Sequence, residues 1–264
     1  MDTSVDIHIL KLAAGYLLFI IPVAVFFYFR TGLIKDTLWA VSRMTLQLGL
    51  VAVYLEYVFL LNNKVVNILW LIALTAIAAY TIIKRSNISY RLFLISVFLS
   101  TLASVVIIDM FFIGFLLKPE YLFDARYLIP ITGIMLGNTL RTNIIALNSY
   151  FSRLERDQLL YRYALANGAT RDEALQPYIR EALRQAFNPA IANMSVVGLI
   201  NFPGVMTGQL IGGTNPATAI KYQLMIMVAI FVSSVIIVFF SLKISNKLIF
   251  DHFDNPCNQL TRIK

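Results

Sequence analysis

One cysteine, Cys257, and two histidines, His8 and His252, are the whole complement of thiol and imidazole groups in 264 residues. A lone cysteine permits no intrachain disulfide and no cysteine-rich metal cluster. Two histidines near opposite ends of the chain rule out a histidine-rich site within one copy. Charge is scarce too: Asp, Glu, Lys and Arg make up 14% of the residues, where a soluble domain carries about a quarter. Also missing is any Gly-x-x-x-x-Gly-Lys-[Ser/Thr] run, the loop whose backbone amides cradle nucleotide phosphates. The chain therefore brings no nucleotide-hydrolysing motif of its own. Nor does it pair a nucleophile with a base in any recognisable catalytic set, so an enzyme is not expected.

What is present is apolar. Hydrophobic residues account for 59% of the chain, and Phe and Tyr contribute 19 and 13, on a mean hydropathy of +0.74. This composition predicts an all-α integral membrane protein lying in the cell membrane, with the bilayer as its main solvent. The net charge of +8 does not point to nucleic acid, because no basic soluble domain exists to carry it. A bilayer core needs about 20 apolar residues per helix, and seven stretches qualify: 9–29, 38–61, 66–83, 92–117, 127–148, 189–212 and 219–242. They form a single transmembrane domain over 1–264, without an internal repeat. The acidic start, Asp2 and Asp6, lacks the basic region of a cleavable leader, so the first apolar run is expected to stay as a span.

Lys and Arg alternate in the loops. Fifteen fall on one side, including Arg30, Lys35, Lys84, Arg85 and the arginines of 149–188, and five on the other. The positive-inside rule then puts the N-terminus outside and the C-terminus in the cytoplasm. The longest loop, 149–188, lies between the fifth and sixth stretches on the cytoplasmic side. Within it, Arg153 to Ala166 is a helical run that Gly168 breaks, and Thr170 stands three residues before Glu173 in capping-box spacing. From Asp172 onward Leu175, Ile179, Ala182, Leu183, Ala186 and Phe187 recur as one apolar face. Two readings fit: an amphipathic helix lying on the membrane, or a docking element for a cytoplasmic partner. Mixed-sign charge favours the second, since membrane-surface helices usually carry a basic polar face.

The run "ALANGATRDEALQPYIREALRQAFNPAI" (164–191) resembles the cytoplasmic loop of ABC-transporter permeases, although Arg162 and Tyr163 stand where many importers have Glu and Ala. Together with "RMTLQLGLVAVYLEYVF" (43–59), "ARYLIPITGIMLGNTL" (125–140) and "VGLINFPGVMTGQLIGGTNPATAIKYQL" (197–224), it resembles the FetB-type permease family, over roughly 38–242. That resemblance implies a homodimeric permease, with ATP-Mg bound and hydrolysed by a separate cytoplasmic ATPase and no cofactor on this chain. The coupling helix would be carried by Ala164, Gly168, Ala169, Thr170, Glu173, Arg180 and Glu181. It implies iron export as the activity, with a nucleotide-sugar or other solute as the alternative, plant relatives being tied to aluminium tolerance. An unpowered receptor or scaffold is the alternative of another class.

Polar groups inside spans are costly and mark pathways. Arg43 and Gln47 share a face of the second stretch, and Glu56 points nearly opposite. Glu56 and Asp109 could line an outer vestibule, or pair with Lys64 and Lys118. Asn138 and Arg141 share a face of the fifth stretch, where Arg141 could snorkel to the cytoplasm. In the sixth, Pro203, Gly204, Gly208, Gly212 and Gly213 replace the leucines of a lipid-facing helix, and irregular backbone is tolerated only against protein or water. This segment is either a tight helix contact or a gating break, with Asn201, Thr207 and Gln209 as ligands. Met206, Met225 and Met227 lie close by in sequence but make no complete metal-ligand set.

Overall fold

The computed structural model describes residues 8–119, 121–251 and 254–256. Asp2, Asp6, His252, Cys257, Arg262 and Lys264 lie outside the described residues. Among the described residues the fold is all helix, with two isolated β-bridges and no strand. Nine helices follow in order: α1 (Leu10–Tyr28, with a 3-10 turn at Tyr16–Phe19), α2 (Ile34–Leu61), α3 (Lys64–Ser86), α4 (Tyr90–Asp109, continuing as a π turn over Met110–Leu117), α5 (Ala125–Arg156), α6 (Gln158–Ala166), α7 (Arg171–Val196), α8 (Gly204–Ile211) and α9 (Pro216–Ile249).

Short polar residues set the boundaries. Asn62, at φ 33°, ends α2 and Asn87, at φ 58°, ends α3, both in the left-handed region that Asn tolerates better than most residues. Asn63 then caps α3 by accepting from the Val65 amide at 2.9 Å. Asp124 caps α5 through the Arg126 amide at 3.0 Å. Asn215 caps α9 through the Ala217 amide at 2.9 Å, and Pro216 occupies the first helical position, where its missing N–H costs nothing.

Among the described residues five helices are long and apolar enough to cross a membrane: α1, α2, α3, α4 and α9. The two other expected stretches differ. Stretch 127–148 lies within α5, whose 32 residues reach about 48 Å at 1.5 Å per residue. Yet α5 carries Thr132, Asn138, Thr139, Arg141, Thr142 and Asn143, too polar a set for lipid. Instead it is the central helix, packed against α3, α7 and α9. Stretch 189–212 is not one helix. α7 stops at Val196, Gly198 turns left-handed at φ 85°, and α8 starts only after Pro203. A proline keeps the residue before it out of the α region, so no helix runs through Phe202.

Packing is tightest where hydroxyls replace large side chains. Along α4, Ser96 and Ser104 meet α9: Ser96 Oγ lies 2.8 Å from Ser245 Oγ, and Ser104 Oγ lies 2.8 Å from Ser233 Oγ. Ser104 also donates to the Ser233 carbonyl at 3.0 Å, and Asn143 of α5 donates to Ser241 Oγ at 3.2 Å. The pairing of 96 with 245 and of 104 with 233 makes α4 and α9 antiparallel. Lipid offers no hydrophobic drive for helix association, so close backbone approach and interhelical hydrogen bonds have to supply it. At the basic end of the bundle a large aromatic and aliphatic core gathers Ile83, Phe93, Phe151, Leu154, Tyr178 and Leu242. The Phe93 and Phe151 rings there are 4.5 Å apart.

Ser104→Ala, which removes only the hydroxyl, should cost about 0.6 kcal/mol, a typical figure for one interhelical hydrogen bond in a membrane. Ser104→Leu forces the backbones apart and should cost about 1–3 kcal/mol. Detergent unfolding midpoints check the ranking; equal losses would mean that close approach is not what holds α4 on α9.

Candidate functional site

Two regions concentrate functional side chains. The first is the turn between α6 and α7. α5 ends at Arg156, and Asp157, bonded by Arg156 Nε at 3.1 Å and facing Arg153 at 3.5 Å, redirects the chain into α6. Its carboxyl sits below the usual range, chiefly through the Arg156 hydrogen bond. Gly168, at φ +88°, makes the turn, in a conformation that a Cβ would strain. Thr170 then opens α7 with a complete capping box. Its Oγ1 accepts from the Glu173 amide at 3.4 Å, and the Glu173 carboxylate accepts from the Thr170 amide at 2.8 Å. These bonds hold the Glu173 carboxyl below its ordinary value, the bond from the Thr170 amide first.

α6 is braced from below. The Tyr161 hydroxyl donates to the Asp254 carbonyl at 2.9 Å, and burial pushes it up to about 12. Arg171 reaches the Asp254 carboxylate at 3.2 Å, and the Tyr178 hydroxyl donates to the Asp157 carbonyl at 3.2 Å. With Tyr161 turned inward, Leu159, Leu160 and Tyr163 point outward, at 83%, 63% and 68% exposure. The apolar stripe of α7 takes the opposite role. Leu175, Ala182, Ala186 and Phe187 are buried against this chain's own core, and only Leu183 of the six is exposed. The free apolar face of the loop is therefore on α6.

Of the residues expected at the coupling turn, Ala164, Ala169 and Glu173 line one groove of ≈ 350 Å³ with Leu160 and Tyr163. Gly168 and Thr170 connect its two walls. Arg180 and Glu181 sit two to three turns further along α7 and line no part of it; Glu181 accepts from Gln185 at 3.0 Å instead. Leu159, Leu160 and Tyr163 were missed in the sequence. At about 100° per residue Leu159, Leu160 and Tyr163 fall on one face of α6 and Tyr161 on the opposite one, and two apolar faces on one short loop helix were the available signal.

The second region is a cavity of ≈ 140 Å³ between α5, α7 and α9, walled by Asn138, Arg141, Thr142, Asn193, Met194 and Met227 among others. Arg141 lies midway along α5. Of the expected pathway residues only Asn138 borders this cavity, its amide donating to the Ile134 carbonyl at 2.8 Å. Arg43, Gln47 and Glu56 are exposed on α2, which meets α1 where the Tyr16 and Thr45 hydroxyls lie 2.7 Å apart and the rest of the bundle where Tyr54, Leu55 and Val58 pack near Trp70 and Ile129. Asp109 is buried, accepts from Thr132 Oγ1 at 2.6 Å, and its other oxygen has no hydrogen-bond partner among the described residues. The pairings proposed for the acids do not form. Lys64 sits over the Phe123 ring at 4.7 Å and Lys118 over Phe115 at 5.6 Å.

Pro203, Gly204, Met206, Thr207, Gly208 and Gln209 all belong to the short α8 and its cap. Met206 is buried, Thr207 donates to the Pro203 carbonyl at 3.2 Å, and Gln209 Oε1 is buried without a partner among the described residues. A Cβ on Gly204 or Gly208 would meet nothing within 4 Å. Whatever close contact this pair serves is not made within one copy. Among the described residues no group of three or more His, Cys, Asp or Glu is placed to hold a metal.

A helical bundle with five apolar spans, a polar central helix and a braced loop helix defines a multi-pass membrane protein. Residues 9–250 match the model of the uncharacterised protein family UPF0014, and the chain belongs to that family. It is 32% identical over 203 residues to a UPF0014 membrane protein of Synechocystis, covering 77% of this chain and 78% of that one. It is 28% identical over 216 residues to the probable iron export permease protein FetB of Escherichia coli, covering 82% of each. The protein ALUMINUM SENSITIVE 3 of Arabidopsis thaliana is 30% identical over 217 residues, covering 82% of this chain and 78% of the relative. No solved structure matches.

The capping box makes the turn pH-sensitive. The Glu173 carboxyl is depressed in the folded chain, so its contribution is present above the ordinary carboxylate value and is lost as pH falls through the lowered one. Amide exchange at residues 170–174 should accelerate as pH falls through that window, beyond the intrinsic trend, and Glu173→Gln should abolish the excess. Thr170→Ala should loosen the same amides by about 1 kcal/mol at every pH.

Proposed function

We propose that this chain is the membrane-embedded permease subunit of an ABC transporter, driven by a separate cytoplasmic ATPase that docks on α6. The observation that carries this reading is the outward face of α6. Leu159, Leu160 and Tyr163 are exposed on a helix fixed from behind by Tyr161, Arg171 and Tyr178. A loop helix held rigidly from one side and apolar on the other suits insertion into a partner's cleft. The side on which it stands is the basic one, where Lys84, Arg85, Arg153, Arg156 and Lys247 close the helices; the positive-inside rule makes that side cytoplasmic. On this reading ATP-Mg belongs to the partner, which accords with a sequence that has no phosphate loop.

Two copies form the pathway in this proposal. ATP binding draws the two ATPases together, and the docked α6 helices tip the bundles between two states. Iron is the proposed cargo, on the strength of the name of the Escherichia coli relative.

Leu159→Glu and Tyr163→Ala, made in the full chain and co-expressed with the neighbouring ATPase, should lower stimulated ATPase activity and transport by about tenfold or more, the loss of one to two interface anchors. Gly168→Leu and Glu173→Arg should uncouple in the same way. Membrane levels of all four should match the parent. Unchanged transport in the α6 variants would remove the ATPase from this loop, and no transport by the parent with its ATPase would favour an unpowered receptor or scaffold.

A further inference from the structure

The cavity between α5, α7 and α9 carries one formal charge on its wall, Arg141, and no carboxylate. Among the described residues Arg141 and Asn193 have no hydrogen-bond or ionic partner. The buried intramembrane acid Asp109 is not on this wall and is held by Thr132. Thr132 lies nine residues before Arg141 on α5, about 13 Å along the axis. Arg141 itself is about 24 Å from either end of α5 at 1.5 Å per residue.

An arginine at mid-helix, on a cavity wall and without a counter-charge, is an expensive thing to keep in a membrane unless something anionic visits it. The guanidinium presents a planar fork that matches carboxylate or phosphate oxygens. Asn193 and Thr142 add neutral donors from α7 and α5. Asn138 gives one of its two amide hydrogens to the Ile134 carbonyl, and the second remains as a further neutral donor on the same wall. A bare di- or trivalent cation would meet the opposite of what it needs: a positive charge, no carboxylate, and the thioethers of Met194 and Met227, which suit soft metals.

We propose that this cavity binds an oxyanion: the carboxylate or phosphate group of a solute, either free or as the outer shell of a chelated metal. At ≈ 140 Å³ it has room for about one benzene-sized group, so it receives the anionic head and leaves the remainder of a larger ligand outside. The proposal deepens the transport reading, on which the cavity is part of the pathway. If iron is the cargo, it passes Arg141 wrapped in an anionic ligand.

The test is calorimetric titration of the full chain in nanodiscs, without the ATPase, using citrate, ferric citrate, pyrophosphate and ferrous ion alone. Citrate or pyrophosphate should bind the parent, and Arg141→Gln should weaken that binding about ten- to hundredfold, the value of a hydrogen bond to a charged group. Arg141→Lys should retain part of it, and Arg126→Gln, a basic residue away from the cavity, all of it. Ferric citrate binding more tightly than citrate identifies the metal chelate as the source; equal binding identifies the free anion. Asn193→Ala supplies a second probe from another helix should Arg141→Gln fail to fold. Binding of ferrous ion alone, anion binding indifferent to both positions, or no anion binding to the parent would overturn the proposal. None of these results depends on α6, so ATPase coupling stands or falls separately.

Discussion

The hydroxyl-lined contact between α4 and α9 is what the rest of the bundle is registered against. Ser96 with Ser245 and Ser104 with Ser233 fix two points on each helix, and two points determine both the register and the direction of the pair. Bulky side chains at these positions would fill the gap with apolar contacts that lipid supplies equally well. Hydroxyls let the backbones close and give each polar atom a partner that hydrocarbon cannot provide. α5 then lies along the seam, reaching Ser241 through Asn143 and, nearer the basic end, Asn246 through the Tyr150 hydroxyl at 2.8 Å. Because Ser234 and Phe231 on the same stretch of α9 border the cavity, the wall opposite Arg141 is set by the serine pairing one residue away.

α7 joins the two candidate regions in one continuous helix. Its first turn holds the capping box at the groove, and Pro189, Asn193 and Met194 toward its other end wall the cavity. The distance between Thr170 and Asn193 is about 34 Å of continuous helix. Coupling between sites needs an element with two discrete placements that both sites bias. A helix whose apolar face is buried along the bundle, and whose interior prolines Pro177 and Pro189 each remove a backbone hydrogen bond, can tilt or bend as a unit. On the transport reading, movement of the docked turn reaches the cavity without any intermediate chain of contacts.

Much of this fold was readable because lipid imposes simple rules. Long apolar runs gave α1 to α4 and α9, and the Thr170–Glu173 spacing gave the start of α7. Three features were not readable. The burial of the α7 stripe depends on what it meets, and periodicity shows that a face exists without saying whether its partner is the same chain. The extent of the break between Val196 and Gly204 escaped: Pro203 marked irregular backbone, but average hydropathy over 189–212 does not show that the helix already ends before Gly198. Arg141 was weighed as a snorkelling residue, since its sequence neighbours could not show that it borders a cavity with α7 and α9.

The α2 helix poses the last physical question. It touches the bundle near Val58 and α1 through the Tyr16–Thr45 hydroxyl pair at 2.7 Å, and the side chains of Arg43 and Gln47 stay exposed. Those two side chains share a face, and lipid is a poor neighbour for both. Gly204 and Gly208 are likewise open, on a surface where small residues let another backbone approach. A second copy is the neighbour that would answer both needs at once, covering the polar face of α2 and closing on α8. On that arrangement each pathway is walled by two chains, and the charge of Arg141 is met by a solute instead of by a carboxylate of its own bundle.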